Sequence, residues 1–96
     1  MAAYAIFIRE GAIVDPEAMA KYQSGNRGGT PNPGMRPLTV YGAMEQLEGE
    51  PYDGMVIIEF PDKQAAKDWY YSEDYQARVP FRQLAAPYRV FIVEGL

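Results

Sequence analysis

A carboxylate interrupts one of the most apolar stretches of the chain: Glu59 follows Met55-Val56-Ile57-Ile58 and precedes Phe60. An ionised carboxylate there is costly unless it is paired or opens on a cavity, and burial would raise its pKa toward the range useful for proton transfer at neutral pH. Glu59 is therefore either a proton shuttle or one half of an ion pair with Arg9 or Arg89. Tyr41 and Glu45 share a period-two register with Thr39, so one strand face would offer a phenol, a carboxylate and a hydroxyl to the same space. A solvated edge strand gives the same pattern. Arg82 and Arg89 could anchor a carboxylate-bearing ligand, because a guanidinium binds such groups through two parallel hydrogen bonds; surface or intersubunit salt bridges are the alternative use. Trp69, Tyr70, Tyr71 and Tyr75 form an aromatic cluster suited to core packing, one ring of which, Trp69 first, is a candidate to border a pocket.

What the chain lacks narrows the chemistry further. It has neither cysteine nor histidine. Disulfides, a thiol nucleophile, a Ser-His-Asp triad and histidine-ligated zinc or haem are thereby excluded, so no cofactor and no metal is expected. No acidic cluster has the spacing of a calcium loop. The stretch Gly25-Asn26-Arg27-Gly28-Gly29 lacks the Gly-Lys-Ser/Thr ending of a phosphate-binding loop and does not lead into a helix. A formal net charge of −4, with nine Lys and Arg scattered along the chain, offers no basic field for a nucleic-acid backbone. No apolar run approaches the ~20 residues that span a bilayer, and the N-terminus has no signal-peptide pattern, so a cytoplasmic protein without membrane partners is expected.

The elements that must position these residues follow from periodicity. With 96 residues, of which 48% are hydrophobic, one domain over residues 1–96 is expected, built on one core. Ala3 to Ile8 is a short apolar strand that stops at Arg9-Glu10-Gly11. Asp15-Pro16-Glu17 is a helix start: Asp caps, Pro fits the first turn and Glu suits the positive end of the dipole. Ala18, Met19 and Tyr22 give that helix a buried stripe, which Ser24-Gly25 is expected to end. Residues 24–37 carry glycines and prolines in a density that neither a helix nor a central strand tolerates, and so predict a long loop placed to act as a binding segment. Leu38 to Leu47 predicts a second strand and Met55 to Phe60 a third, joined as a hairpin through the turn-forming residues 48–54. Pro61-Asp62 opens an amphipathic helix with Ala65, Ala66, Trp69 and Tyr70 on one face. Ser72 caps a further helical stretch through Tyr75, Val79 and Leu84, which Pro80 divides. Tyr88 to Glu94 is the last strand.

This order, βαββαβ, predicts a ferredoxin-like α+β fold: an antiparallel sheet with strand sequence 4-1-3-2 and both helical segments on one face. The other face presents a difficulty. Tyr4, Ile6 and Ile8 alternate with Ala5 and Phe7, and Phe91 and Val93 alternate with Val90 and Ile92, so both faces of the central strands are apolar. A sheet wetted on one side should alternate apolar with polar. An uncovered apolar face of this extent calls for a second sheet or a ligand cavity, and a homodimer with facing sheets provides both.

The run Tyr41-Gly42, Leu47-Glu48-Gly49, Glu59-Phe60-Pro61, Ala65-Ala66, Trp69-Tyr70, Ser72, Tyr75-Gln76, Arg82, Tyr88-Arg89-Val90 and Glu94-Gly95 resembles domain of unknown function 1330 (DUF1330). The resemblance spans nearly the whole chain after Ala3 and is most specific from Glu59 to Tyr75. It implies the dimeric α+β barrel superfamily, which includes cofactor-free monooxygenases, small lyases and isomerases, and stress-response proteins, and it implies no single reaction. The chain departs from the commoner family pattern after Tyr22, where many members extend the first helix. The expected activity is binding, with or without cofactor-independent turnover, of a small aromatic or acidic metabolite in a pocket between sheet and helices; a purely structural dimer is the remaining alternative.

Overall fold

The computed structural model describes residues 1–28 and 34–96. Its first strand, β1 (Ala3–Arg9), leads to helix α1 (Pro16–Gly28), whose start is fixed by Asp15: the carboxylate accepts from the Ala18 backbone N–H at 3.0 Å. Strands β2 (Arg36–Val40) and β3 (Gly54–Phe60) follow, then helix α2 (Lys63–Tyr70), a single turn α3 (Glu73–Gln76), helix α4 (Val79–Ala85) and strand β4 (Tyr88–Glu94). Asp62 caps α2 by accepting from Ala65 N–H, and Ser72 caps α3 by accepting from Tyr75 N–H. Pro80 sits in the first turn of α4, where its missing N–H costs nothing, which is why the helical stretch divides there.

The four strands form one antiparallel sheet in the order β2-β3-β1-β4, which read from the other edge is the expected 4-1-3-2. β1 lies in the centre, pairing Ala5 with Ile58 on one side and Ile92 on the other. The helices lie on one face, where Ala5, Phe7, Ile58 and Phe60 are buried beneath Ala66, Trp69, Tyr75 and Val79. Trp69 is the hub: its ring lies 4.3 Å from that of Tyr75 and 5.6 Å from that of Phe60, and meets Phe7 edge-on at 6.1 Å. The short dimension of the molecule is 17 Å, as expected for one helical layer on one sheet.

Three sequence expectations are corrected. The first helix does not end at Ser24-Gly25 but runs to Gly28. Gly25 is a packing residue, not a stop: a Cβ built there would lie 2.1 Å from Cδ of Arg78, so the helix backbone rests directly on that side chain. The long loop expected over 24–37 is correspondingly shortened at both ends by α1 and β2; its centre, residues 29–33, lies outside the described residues. The second strand covers Arg36–Val40, not Leu38–Leu47. Tyr41 adopts a left-handed backbone (φ 54°), which takes the chain out of the pleat. Pro37 is tolerated because β2 is an edge strand, and the pairing with β3 slips between Pro37 and Thr39. Leu84, finally, is exposed, and Arg82 takes the buried position on α4.

The Gly25 contact has a measurable sign. Helix propensity alone would make Gly25→Ala stabilising by about 1 kcal/mol, whereas the contact with Arg78 predicts a net loss of about 1–3 kcal/mol from overpacking. Urea unfolding of the variant should show a lower midpoint than the parent.

Candidate functional site

A cleft of about 420 Å³ opens between the helical layer and the β4 edge of the sheet, lined by Tyr70, Arg82, Gln83, Ala86, Pro87, Tyr88 and Val90. Its position follows from the chain path. α4 ends at Ala85, Pro87 prevents its continuation, and β4 starts at Tyr88 with its side chain on the helix face of the sheet, in register with Val90 and Ile92. Backbone bonds from Glu10 N–H to Pro87 O (2.9 Å) and from Val14 N–H to Ala85 O (2.7 Å) tie this corner to the β1–α1 connection.

Arg82 is the unusual member of the wall. Its side chain is 4% exposed, and its guanidinium lies 5.4 Å from the Tyr88 ring centroid and 5.8 Å from that of Phe7. Among the described residues no carboxylate pairs with it, while Arg36, Arg78 and Arg89 are paired with Glu59, Asp74 and Glu10. Its Nε is buried without a hydrogen-bond partner. Desolvating a cation costs several kcal/mol, and each aromatic contact returns about 0.5–2 kcal/mol. The rings and the neighbouring Tyr75 hydroxyl offset part of this cost, and Nε is left without a partner.

Next to it the hydroxyls of Tyr88 and Tyr41 share a short hydrogen bond of 2.5 Å. Tyr41 reaches this place because of its left-handed backbone and because Gly54 beneath it has no side chain; a Cβ there would lie 2.6 Å from Cδ1 of the Tyr41 ring. Arg9 covers the ring at 5.5 Å while donating to the Asp53 carbonyl at 3.0 Å. Burial, and then the bond to Tyr88, push the Tyr41 phenol well above its ordinary value of 10.0. It is a neutral hydrogen-bonding group at physiological pH, not an anion. Deeper in the core, Tyr22 and Tyr75 hydroxyls share a 2.7 Å hydrogen bond, and burial followed by the neighbouring Tyr22 raises the Tyr75 phenol in the same way, against a smaller opposing effect of Arg82.

The residues singled out in the sequence divide between the two faces of the sheet. Arg82 and Tyr41 lie on the helix face. Glu59 lies on the open face, opposite Tyr4 on β1 and Arg36 on β2, with Arg36 Nη1 4.0 Å away. Neither Arg9 nor Arg89 is its partner, and with both side chains partly exposed the pair is worth little. Tyr41 does not stand on a strand face with Glu45 and Thr39: the left-handed turn breaks the alternation, and Glu45 is exposed in the irregular segment that follows. Glu59 and Tyr41 thus occupy opposite faces, near opposite ends of β3, and do not meet within one chain. Arg89 is also on the open face, 3.2 Å from Glu10. Trp69 is enclosed in the core and does not line the cleft. Of the aromatic cluster it is Tyr70, not Trp69, whose ring borders the cleft, and sequence reasoning missed Tyr88 as a wall residue. Tyr88 carried one signal, its place in register with the apolar Val90 and Ile92 on the core side of the last strand. Among the described residues no three carboxylates are grouped to hold a metal ion, and no helix is long and apolar enough to cross a membrane.

Sheet order, single helical layer and cleft together define a ferredoxin-like α+β protein. The chain belongs to the DUF1330 family, described as a domain of unknown function, whose model matches residues 2–96. Solved structures with the same fold include the methylated RPA0582 protein of Rhodopseudomonas palustris (TM-score 0.71, 19% identity, 99% of this chain and 81% of that one). An EthD-family protein from Bacillus halodurans aligns over 100% of both chains at 15% identity and a TM-score of 0.63. A dimeric ferredoxin-like protein of unknown function from Bacteroides fragilis aligns over 98% of this chain and 96% of its own, at 11% identity and a TM-score of 0.62. No curated protein matches the sequence.

The raised phenols make alkaline stability the sensitive measurement. Above pH 10.0, the ordinary tyrosine pKa, the unfolded chain loses phenolic protons that Tyr41 and Tyr75 retain when folded. The folded state then binds more protons, so stability falls as pH rises through that value. Urea midpoints should hold steady to about pH 9 and drop steeply by about pH 11. Tyr75→Phe should flatten the drop while costing about 1–3 kcal/mol at neutral pH, since the Tyr22 hydroxyl is left buried without its partner.

Proposed function

We propose that this protein is a homodimer whose protomers pair through the open sheet faces as a dimeric α+β barrel, and that each binds a small aromatic or acidic metabolite in the cleft between β4 and the helices. The observation that carries the binding reading is the cleft itself. Its volume falls within the ~300–1,000 Å³ of small-molecule sites, its wall combines the rings of Tyr70 and Tyr88 with a buried cation, and the Tyr41–Tyr88 bond orients a hydroxyl beside it.

Pairing is supported by the open face. Ile6 stands between Ile57 on β3 and Phe91 on β4, with Met55 and Val93 nearby, and Phe91 and Val93 are 39% and 47% exposed. No helix of the described chain covers them. A soluble protein seldom leaves such a patch in water, and a second copy presents the same patch. The Bacteroides fragilis protein of the same fold is itself described as dimeric. Cofactor-independent turnover is the second reading, favoured by the 2.5 Å phenol pair as a proton donor beside the cleft. In that reading Glu59 acts, if at all, from the space between the two sheets, because it does not face the cleft.

At micromolar concentration, sedimentation should give twice the protomer mass of 10.8 kDa, and Ile57→Asp should give folded monomer; a monomeric parent would refute the pairing. In protein NMR, a panel of small aromatic acids and aromatic neutrals should shift amides of Gln83, Tyr88 and Val90 selectively. Shifts confined to the open face would move the site to the dimer interior. Turnover unchanged in both Tyr41→Phe and Glu59→Gln would dismiss either group as the proton donor.

A further inference from the structure

We infer that the cleft selects an organic monocarboxylate and that Arg82 is the residue that holds it, an assignment that rests on the cleft being the binding site and adds the chemistry of its ligand. Arg82 is more than nine-tenths buried, lines the cleft, and among the described residues has no carboxylate partner. Four other arginines each have an oxygen partner, although Arg9 and Arg78 also keep buried guanidinium nitrogens without one. Arg36, Arg78 and Arg89 have carboxylates, and Arg9 donates to a backbone carbonyl. A guanidinium held between the Phe7 and Tyr88 rings has fixed orientation, which suits its planar donors to a carboxylate of matching geometry.

One positive charge in the wall, with no second Lys or Arg lining it, matches a ligand of charge −1 better than a phosphate dianion. The rest of the wall specifies what is attached to the carboxylate. The exposed wall is mainly polar, and the rings of Tyr70 and Tyr88 with Val90 supply the smaller apolar part against which a flat body can lie. The Tyr88 hydroxyl adds a directed polar contact: when Tyr41 donates to it, the Tyr88 proton is free to point at the ligand. Tyr41 is in this scheme a positioning residue that acts through Tyr88.

The test compares acids with their amides on the intact protein. Benzoate and 4-hydroxyphenylacetate should shift the Arg82 Nε–H resonance and the amides of Gln83 and Tyr88, and the corresponding amides should bind at least about tenfold more weakly. Arg82→Gln should abolish this preference, and Tyr88→Phe should weaken binding of the acids while leaving the preference for charge intact. Inorganic phosphate should not displace the acids. Equal binding of acid and amide by the parent protein would overturn the carboxylate assignment while leaving the cleft a binding site; displacement by phosphate would overturn it in favour of a phosphate ligand. If neither acids nor amides perturb the cleft, the binding reading fails and this one with it. The comparison within the parent protein needs no variant, so it decides the matter even if Arg82→Gln does not fold.

Discussion

A strand has two faces, and this chain supplies helices for only one of them. β1 is paired on both sides, so its residues project either onto the helical layer or onto the opposite, open surface. Phe7 projects inward and meets Trp69 and Tyr75; Ile6, its neighbour, projects outward between Ile57 and Phe91. The inward set makes the core that orders α2 to α4. The outward set leaves an apolar surface that the described residues do not cover. Both the open apolar face and the cleft derive from this division, since the cleft forms where the single helical layer runs out beside the edge strand β4.

Within the core, aromatic rings and arginines are used together. Tyr75 receives Trp69 at 4.3 Å on one side and the Arg78 guanidinium at 5.3 Å. Arg82, one turn further along, is placed between Phe7 and Tyr88. Such contacts let long cationic side chains fill space between helix and sheet, the stems packing as hydrocarbon and the guanidinium planes stacking on rings. The difference between the two lies at the far end: Arg78 reaches Asp74 at 3.6 Å, and Arg82 faces the cleft wall.

How much of this was legible in the sequence depended on whether the signal was local. The caps at Asp15, Asp62 and Ser72, the division at Pro80 and the last strand Tyr88–Glu94 could be read because each is set by a few neighbouring residues. So could the apolar character of both sheet faces, which period two alone reveals. Gly25 misled because its role is tertiary: the glycine admits Arg78, 53 positions away, and nothing nearby announces it. Tyr41 misled because a tyrosine rarely takes a left-handed backbone, and its reason for doing so, Gly54 below, Arg9 above and Tyr88 at its hydroxyl, comes from three other strands. For the site, Arg82 could be named as an anchor from its chemistry, but neither its burial nor its want of a carboxylate could be foreseen from a seven-residue helix.

The shortness of β2 has a consequence for how copies of this protein can associate. A sheet grows into a fibril by adding strands at its edges, and indefinite growth needs a usable edge at both ends. One end here is a five-residue strand interrupted by Pro37, slipped in register and closed off by the turn at Tyr41. That end is a poor template, while the other end, β4, is a full seven-residue strand. Stacking edge to edge therefore terminates after one addition, so the apolar sheet is not by its edges a template for fibril growth.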